Sequence, residues 1–152
     1  MSWINFFGLI IVAVILVPNI IFAIRHKDGF VNLYHNRFVE IAEQIGRFGC
    51  FIFMFFTPPF LTEGYCFDKA KKINFTLSVV LAVLYCLGWI AFRKEESVRK
   101  SLVLSILPSL LFVESGILTT NIPLIIISPI FAICHIIISY KNAELREKHY
   151  GK

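Results

Sequence analysis

Four stretches of the chain are almost unbroken apolar sequence: Trp3 to Ile24, Phe75 to Phe92, Leu102 to Leu118 and Ile122 to Tyr140. Each approaches the ~20 residues that a helix, rising about 1.5 Å per residue, needs to cross ~30 Å of hydrocarbon. A fifth stretch, Phe38 to Phe56, has the same length, but Glu40, Glu43, Gln44 and Arg47 interrupt it before a wholly apolar second half, Cys50 to Phe56. Lys27-Asp28-Gly29 and Thr57-Pro58-Pro59 bracket it as turn and breaker signals, and Thr119-Thr120-Asn121 with Pro123 predicts a tight hairpin between the last two stretches. The pattern predicts an all-α integral membrane protein, a compact bundle of five transmembrane helices. One transmembrane domain over residues 1–152 is expected, with spans near 3–24, 38–56, 75–92, 102–118 and 122–140 and a short basic cytoplasmic tail over 141–152.

Composition agrees with the pattern. Hydrophobic residues make up 57% of the chain and charged residues only 16%, with a mean hydropathy of +0.75. A soluble domain is roughly half apolar and a quarter charged, so this chain has too little polar surface to cover its oil in water. The net charge of +5 would suggest nucleic acid in a soluble domain, but here the charges fall between the apolar runs, and no nucleic-acid partner is expected.

The same charges orient the bundle. With the N-terminus outside, the inner segments hold Arg25, Lys27 and Arg37, then Arg93, Lys94, Arg99 and Lys100, then Lys141, Arg146, Lys148 and Lys152. The outer segments hold only Lys69, Lys71 and Lys72, so eleven basic residues against three predict an N-out, C-in protein of the cell membrane. Without the Phe38 to Phe56 crossing this asymmetry disappears. The start of the chain has no basic region before Trp3 and has Arg25-His26-Lys27 after its apolar run, the flank of an anchor and not of a cleaved signal.

At about 100° per residue Glu40, Glu43, Gln44 and Arg47 form one polar stripe on a helix, and Glu43 to Arg47 is an i, i+4 acid–base pair in the favourable order. Two readings of the stripe stand side by side. It lines a polar inner cavity, because an unpaired ion at the bilayer centre costs several kcal/mol. Alternatively, residues 40–47 lie at the cytoplasmic headgroups and the span shifts towards Ile45 to Leu61. With the inferred topology Asn19, Glu43, Cys86 and His135 share a depth of about 7 to 10 Å from the inner boundary. Asn19, Glu43, Arg47 and His135 are therefore the candidate ligand-cavity residues, and a histidine there makes pH-dependent ligand binding the expectation.

Other polar positions have packing as the plain alternative. Small and polar residues share faces in three helices, Asn5, Gly8, Val12, Ile15 and Asn19 in the first, Ser78, Ala82, Tyr85 and Trp89 in the third, and Ser128, Ala132, His135 and Ser139 in the fifth. Glu114, roughly opposite the face of Ser101, Ser105, Pro108 and Ser109, is a candidate proton or cation site or else a structural hydrogen-bonding carboxyl. Pro108 and Pro129, and with them Pro18, can free backbone carbonyls at a site or simply sit in membrane helices.

Catalytic signatures are not found. Cys50, Cys66, Cys86 and Cys134 form no C-x-x-C, and Cys134 and His135, adjacent on a helix, diverge by about 100°. There is no H-E-x-x-H, P-loop or G-x-G-x-x-G, so no catalytic residue, metal or cofactor is assigned, and the sequence leans away from an enzyme. Asn74-Phe75-Thr76 is a glycosylation sequon only formally, since it abuts the third span. The count of five short spans in 152 residues resembles that of the translocator (TspO) proteins, but with only Trp3 and Trp89 as tryptophans that family's aromatic motifs are not located, and no family follows from span count. Three functions are carried forward in order. The first is a multi-pass protein that binds or transports a small molecule or lipid through a polar cytoplasm-facing cavity. The second is an accessory subunit packing on a membrane-protein partner, and the third an intramembrane enzyme.

Overall fold

The structure, a computed structural model, describes residues 3–25, 32–94 and 97–150. The Lys27-Asp28-Gly29 turn and the basic residues Lys27 and Lys152 lie outside the described residues. Five helices make up most of the described chain: α1 (Phe6–Arg25), α2 (Arg37–Phe55), α3 (Ala70–Ala91), α4 (Val98–Leu118) and α5 (Ile122–Tyr150). All but α2 are long and apolar enough to cross a membrane, which is the make-up of a membrane protein. α2 falls outside that set because Arg37, Glu40, Glu43 and Arg47 lie within its 19 residues.

Burial confirms that make-up. Large apolar side chains such as Ile10, Ile45, Leu87, Leu110 and Ile126 are exposed on all five helices, while Glu43, Asn74, Ser78, Ser105 and Ser128 are buried between them. In water this distribution would be inverted; in lipid, the interior is where polar groups find partners.

The helices close into a ring. α1 packs on α2 and α3, α2 on α5, α5 on α4, and α4 on α3, with α2 also touching α4 across the centre. The tightest packing joins α4 to α5 through the three-residue turn 119–121, as the hairpin signal predicts, and α1 is the most loosely held member. Asn121 organises this turn. Its Oδ1 accepts from the Leu124 amide (3.2 Å), capping α5, and its Nδ2 donates to the Phe53 carbonyl (2.9 Å) at the end of α2.

α2 lies along α5 over the length of the bundle because its ends and middle are all fixed there. At its start, Asn142 of α5 accepts from the amides of Leu33 (2.8 Å) and Tyr34 (2.9 Å) and donates to Asn32 (2.9 Å), and Asn36 caps the helix by accepting from the Val39 amide. In the middle, Gly46 and Gly49 let the two helices approach: a Cβ on Gly46 would sit 2.9 Å from the Cα of Phe131, and one on Gly49 would sit 2.8 Å from the tip of Ile127.

Two boundaries differ from the hydropathy pattern. α3 begins at Ala70 rather than near residue 75, bringing Asn74 to 1% exposure, so the formal sequon is not an accessible acceptor. Residues 141–150, beyond the apolar stretch, are helical and continue α5. Hydropathy marks where the apolar part of a helix stops, whereas the helix itself runs on until a breaker. None occurs between Tyr140 and Gly151, and Glu144 pairs with Lys141 (3.1 Å) and Lys148 (2.8 Å) along the helix surface. α1, α4 and α5 continue through Pro18, Pro108 and Pro129.

Candidate functional site

The stripe on α2 turns towards α5. Glu43, only 2% exposed, accepts at Oε1 from Nε of Arg47 (3.0 Å) and from a terminal nitrogen of the same guanidinium, one helical turn on. Nδ1 of His135 reaches the same oxygen at 2.9 Å, and an ionised carboxylate can only accept, so the imidazole donates. The His135 ring is itself held by Phe131, stacked at 4.7 Å with an interplanar angle of 19°. Three N–H donors from two side chains at one buried oxygen favour the ionised form of a carboxylate held away from water.

The two readings of residues 40–47 therefore divide between residues. The Glu43 carboxylate is enclosed by protein, while Glu40 is half-buried and accepts from Asn32 Nδ2 (2.7 Å), and Gln44 is exposed.

Asn19 stands slightly apart from this cluster. Its Oδ1 accepts from the Tyr85 hydroxyl (2.9 Å) and its Nδ2 donates to the Ile15 carbonyl (3.2 Å). It joins Arg47 and His135 through the cavity they share. Cys86, at the same depth in sequence, is half-buried and lines no part of it.

That cavity, about 340 Å³, lies inside the ring, and every helix contributes to its wall. Asn19 comes from α1, Arg47 from α2, Tyr85 and Trp89 from α3, Ser105 from α4 and His135 from α5. At one end are Ser97, Lys100 and Arg146, beside the helix ends that carry most of the basic residues. At the other, Phe112 forms ring pairs with Phe51 (5.9 Å) and Phe131 (5.7 Å), and this aromatic cluster is the floor. From Lys100 to Phe112 is about 18 Å of helix rise, over half of a bilayer's hydrocarbon. The polar groups thus ring the middle of a largely apolar shaft, an arrangement common in sites for small ligands.

A second cleft, about 480 Å³, opens beside it between α1 and α2, with Asn32, Glu40, Glu43 and Gln44 in its wall. It shares Asn19, Arg47, Ile138 and Asn142 with the inner cavity, so these side chains form the partition between the two.

Glu114 belongs to neither. It faces α3, where its Oε1 accepts from the Ser78 hydroxyl at 2.6 Å, while its buried Oε2 has no hydrogen-bond partner among the described residues. Among those residues, no group of His, Cys, Asp and Glu is arranged to hold a metal ion.

Sequence reasoning passed over Lys100, Arg146 and Asn142. Lys100 and Arg146 read as members of basic flanks, and only the helix phase that turns Lys100 inward while Arg99 is exposed separates them from their neighbours. For Asn142 a weak signal existed: an amide in the middle of a charged, helix-forming run. Comparison with family models, with curated proteins and with solved structures finds no match to this chain.

Proposed function

We propose that this is a five-crossing protein of the cell membrane, N-terminus outside and C-terminus in the cytoplasm, that binds a small molecule or lipid in the cavity within its helix ring. The observation carrying this reading is that all five helices build one cavity, with a wall running from Lys100 and Arg146 to a floor of Phe51, Phe112 and Phe131. α2 counts as a crossing because it is tied to α5 at Asn142 and again at Asn121, about 31 Å apart along that helix. Its charges do not oppose this, since Glu43 and Arg47 meet each other and His135 instead of lipid. The end carrying Arg25, Arg37, Arg93, Lys94, Arg99 and Lys141 is the cytoplasmic one by the positive-inside rule, which makes the cavity mouth cytoplasmic.

Two experiments test the parts separately. Cys66, exposed at the opposite end of the bundle, should react with an impermeant maleimide in intact cells and Cys66→Ser should abolish the labelling. Labelling only after permeabilisation would reverse the orientation. For the cavity, Trp3→Phe leaves Trp89 in the cavity wall as the sole tryptophan. In lipid nanodiscs a terminally brominated dodecanol should quench it saturably, and unbrominated dodecanol should restore the signal; quenching that is linear and cannot be competed would mean contact with bulk lipid and no binding cavity.

A further inference from the structure

Two carboxyls lie deep in the apolar part of the bundle, and they are met very differently. Glu43 takes three N–H donors on one oxygen, from Arg47 and His135. Glu114, one turn before the end of α4, takes a single neutral donor, the Ser78 hydroxyl at 2.6 Å, and its Oε2 is buried with no hydrogen-bond partner among the described residues. No counter-ion stands near it. α4 has no other ionisable side chain after Lys100, α1 no charged one from Trp3 to Ile24, α2 only the Cys50 thiol after Arg47, and α5 none from Ile122 to Ile133. On α3 the nearest cations, Lys71 and Lys72, are exposed at the start of the helix, about 9 Å or more of rise from Ser78, and Tyr85 is about as far the other way and bonded to Asn19. In the loop before α3, Glu63, Tyr65, Cys66, Asp68 and Lys69 are all exposed. With one neutral donor and no cation, the ionised form of Glu114 is the costly one in apolar surroundings, and the neutral acid is not.

The partners on α3 fit the neutral form. Asn74 and Ser78 are one turn apart, both fully buried, with the Ser78 hydroxyl 3.5 Å from Asn74 Oδ1. A hydroxyl has one proton to give. If Glu114 is ionised, Ser78 must give that proton to it, and Asn74 Oδ1 is left with no donor among the described residues. If Glu114 carries a proton, it donates to Ser78 and Ser78 donates to Asn74, while Oε2 becomes a neutral carbonyl instead of sharing a charge.

We propose that Glu114 is a proton-binding site, holding its proton in a chain Glu114–Ser78–Asn74 between α4 and α3 at a pH where an ordinary glutamate has lost its own. A metal ion is the poorer occupant, because these three side chains offer too few oxygens for a hard cation, which takes about six. The site is independent of the cavity reading, since Glu114 lines neither the inner cavity nor the adjoining cleft.

The test is infrared spectroscopy of the full-length protein in dodecyl maltoside, a detergent without ester or acid carbonyls. It is run at about pH 6, where a glutamate with the ordinary pKa of about 4.3 is almost fully ionised. The parent should show the carbonyl band of a protonated carboxyl, and the band should move on transfer to D2O. It should persist in E43Q, vanish in E114Q and change frequency in S78A, because the acid there loses its hydrogen-bond partner. Should E114Q fail to fold, the S78A shift still assigns the band, since Ser78 touches the carboxyl of Glu114 and not that of Glu43. Alkaline titration of the parent should remove the band as the proton leaves, and replacing choline by sodium, potassium or calcium at equal ionic strength should not. No such band in the parent, or a band that E43Q removes, that folded E114Q retains or that S78A leaves unmoved, would overturn the proposal. A band that sodium, potassium or calcium removes would make this a cation site and overturn it. One that survives alkaline buffer until the protein unfolds would overturn it as well, because the acid would then be a fixed part of the packing and not a site that exchanges its proton.

Discussion

Replacing Arg47 with methionine is expected to destabilise the bundle by about 3 to 5 kcal/mol, the usual cost of breaking a buried ion pair from one side. The size follows from which partner is left behind. Glu43 is 2% exposed and Arg47 38%, so the variant strands a carboxylate inside protein with only His135 beside it. Glu43→Gln should cost less, about 1 to 2 kcal/mol, because the amide keeps an acceptor for His135 and Arg47, itself 38% exposed, is not left enclosed in protein. The double variant should be more stable than Arg47→Met alone, since no unpaired ion remains. Thermal unfolding in a mild detergent reads all three. Additive losses below about 1 kcal/mol each would show that the pair behaves as an exposed headgroup-level bridge.

Gly46→Val should be of similar severity, about 3 kcal/mol, and its contrast with Gly49→Ala is the informative part. The added Cβ at residue 46 would meet the Cα, Cβ and backbone nitrogen of Phe131, at 2.9 to 3.1 Å, and a backbone cannot step aside. α2 and α5 would have to part, and the Glu43–His135 contact lies one turn away on the same seam. At Gly49 the obstruction is only the end of the Ile127 side chain, which can change rotamer, so alanine there should cost about 1 kcal/mol. If the two substitutions have equal effects, the α2–α5 contact is not as close as described.

The helices themselves were legible because crossing hydrocarbon demands an apolar length that shows in any window of sequence. The Glu43–Arg47 pair was legible for a local reason, its i, i+4 spacing; counting depth along two helices put His135 at the same level, but depth alone does not say that it turns to the same carboxylate oxygen. The order of helices around the ring was not. In lipid both faces of a helix are apolar, so periodicity does not say which side meets a neighbour, and α4, with Ser105 buried and Leu110 exposed, gives little warning of either. The glycines in the middle of α2, Gly46 and Gly49, illustrate the same limit, since a missing side chain carries no sign of what approaches it. Glu114 was visible as an intramembrane carboxylate, but its partner Ser78 lies 36 residues away on α3, and no local spacing links the two.

The dependence of α2 on α5 has a consequence for how the chain is made. α1 is apolar enough, with a mean hydropathy of 2.8 over its best window, to wait alone in the bilayer. α2 is not: Glu43 finds Arg47 on its own helix, but the imidazole and the Asn142 side chain that complete its surroundings belong to α5, three helices further along the chain. If α2 crosses as proposed, it should during synthesis rest at the membrane surface or beside the insertion machinery until some eighty further residues have emerged, from Phe55 to His135. On the proposed five-crossing, N-out topology, truncating the nascent chain before α5 should leave α2 accessible from the cytoplasm while α1 is already inserted, so that α2 enters only once α5 has been made although it is second in sequence.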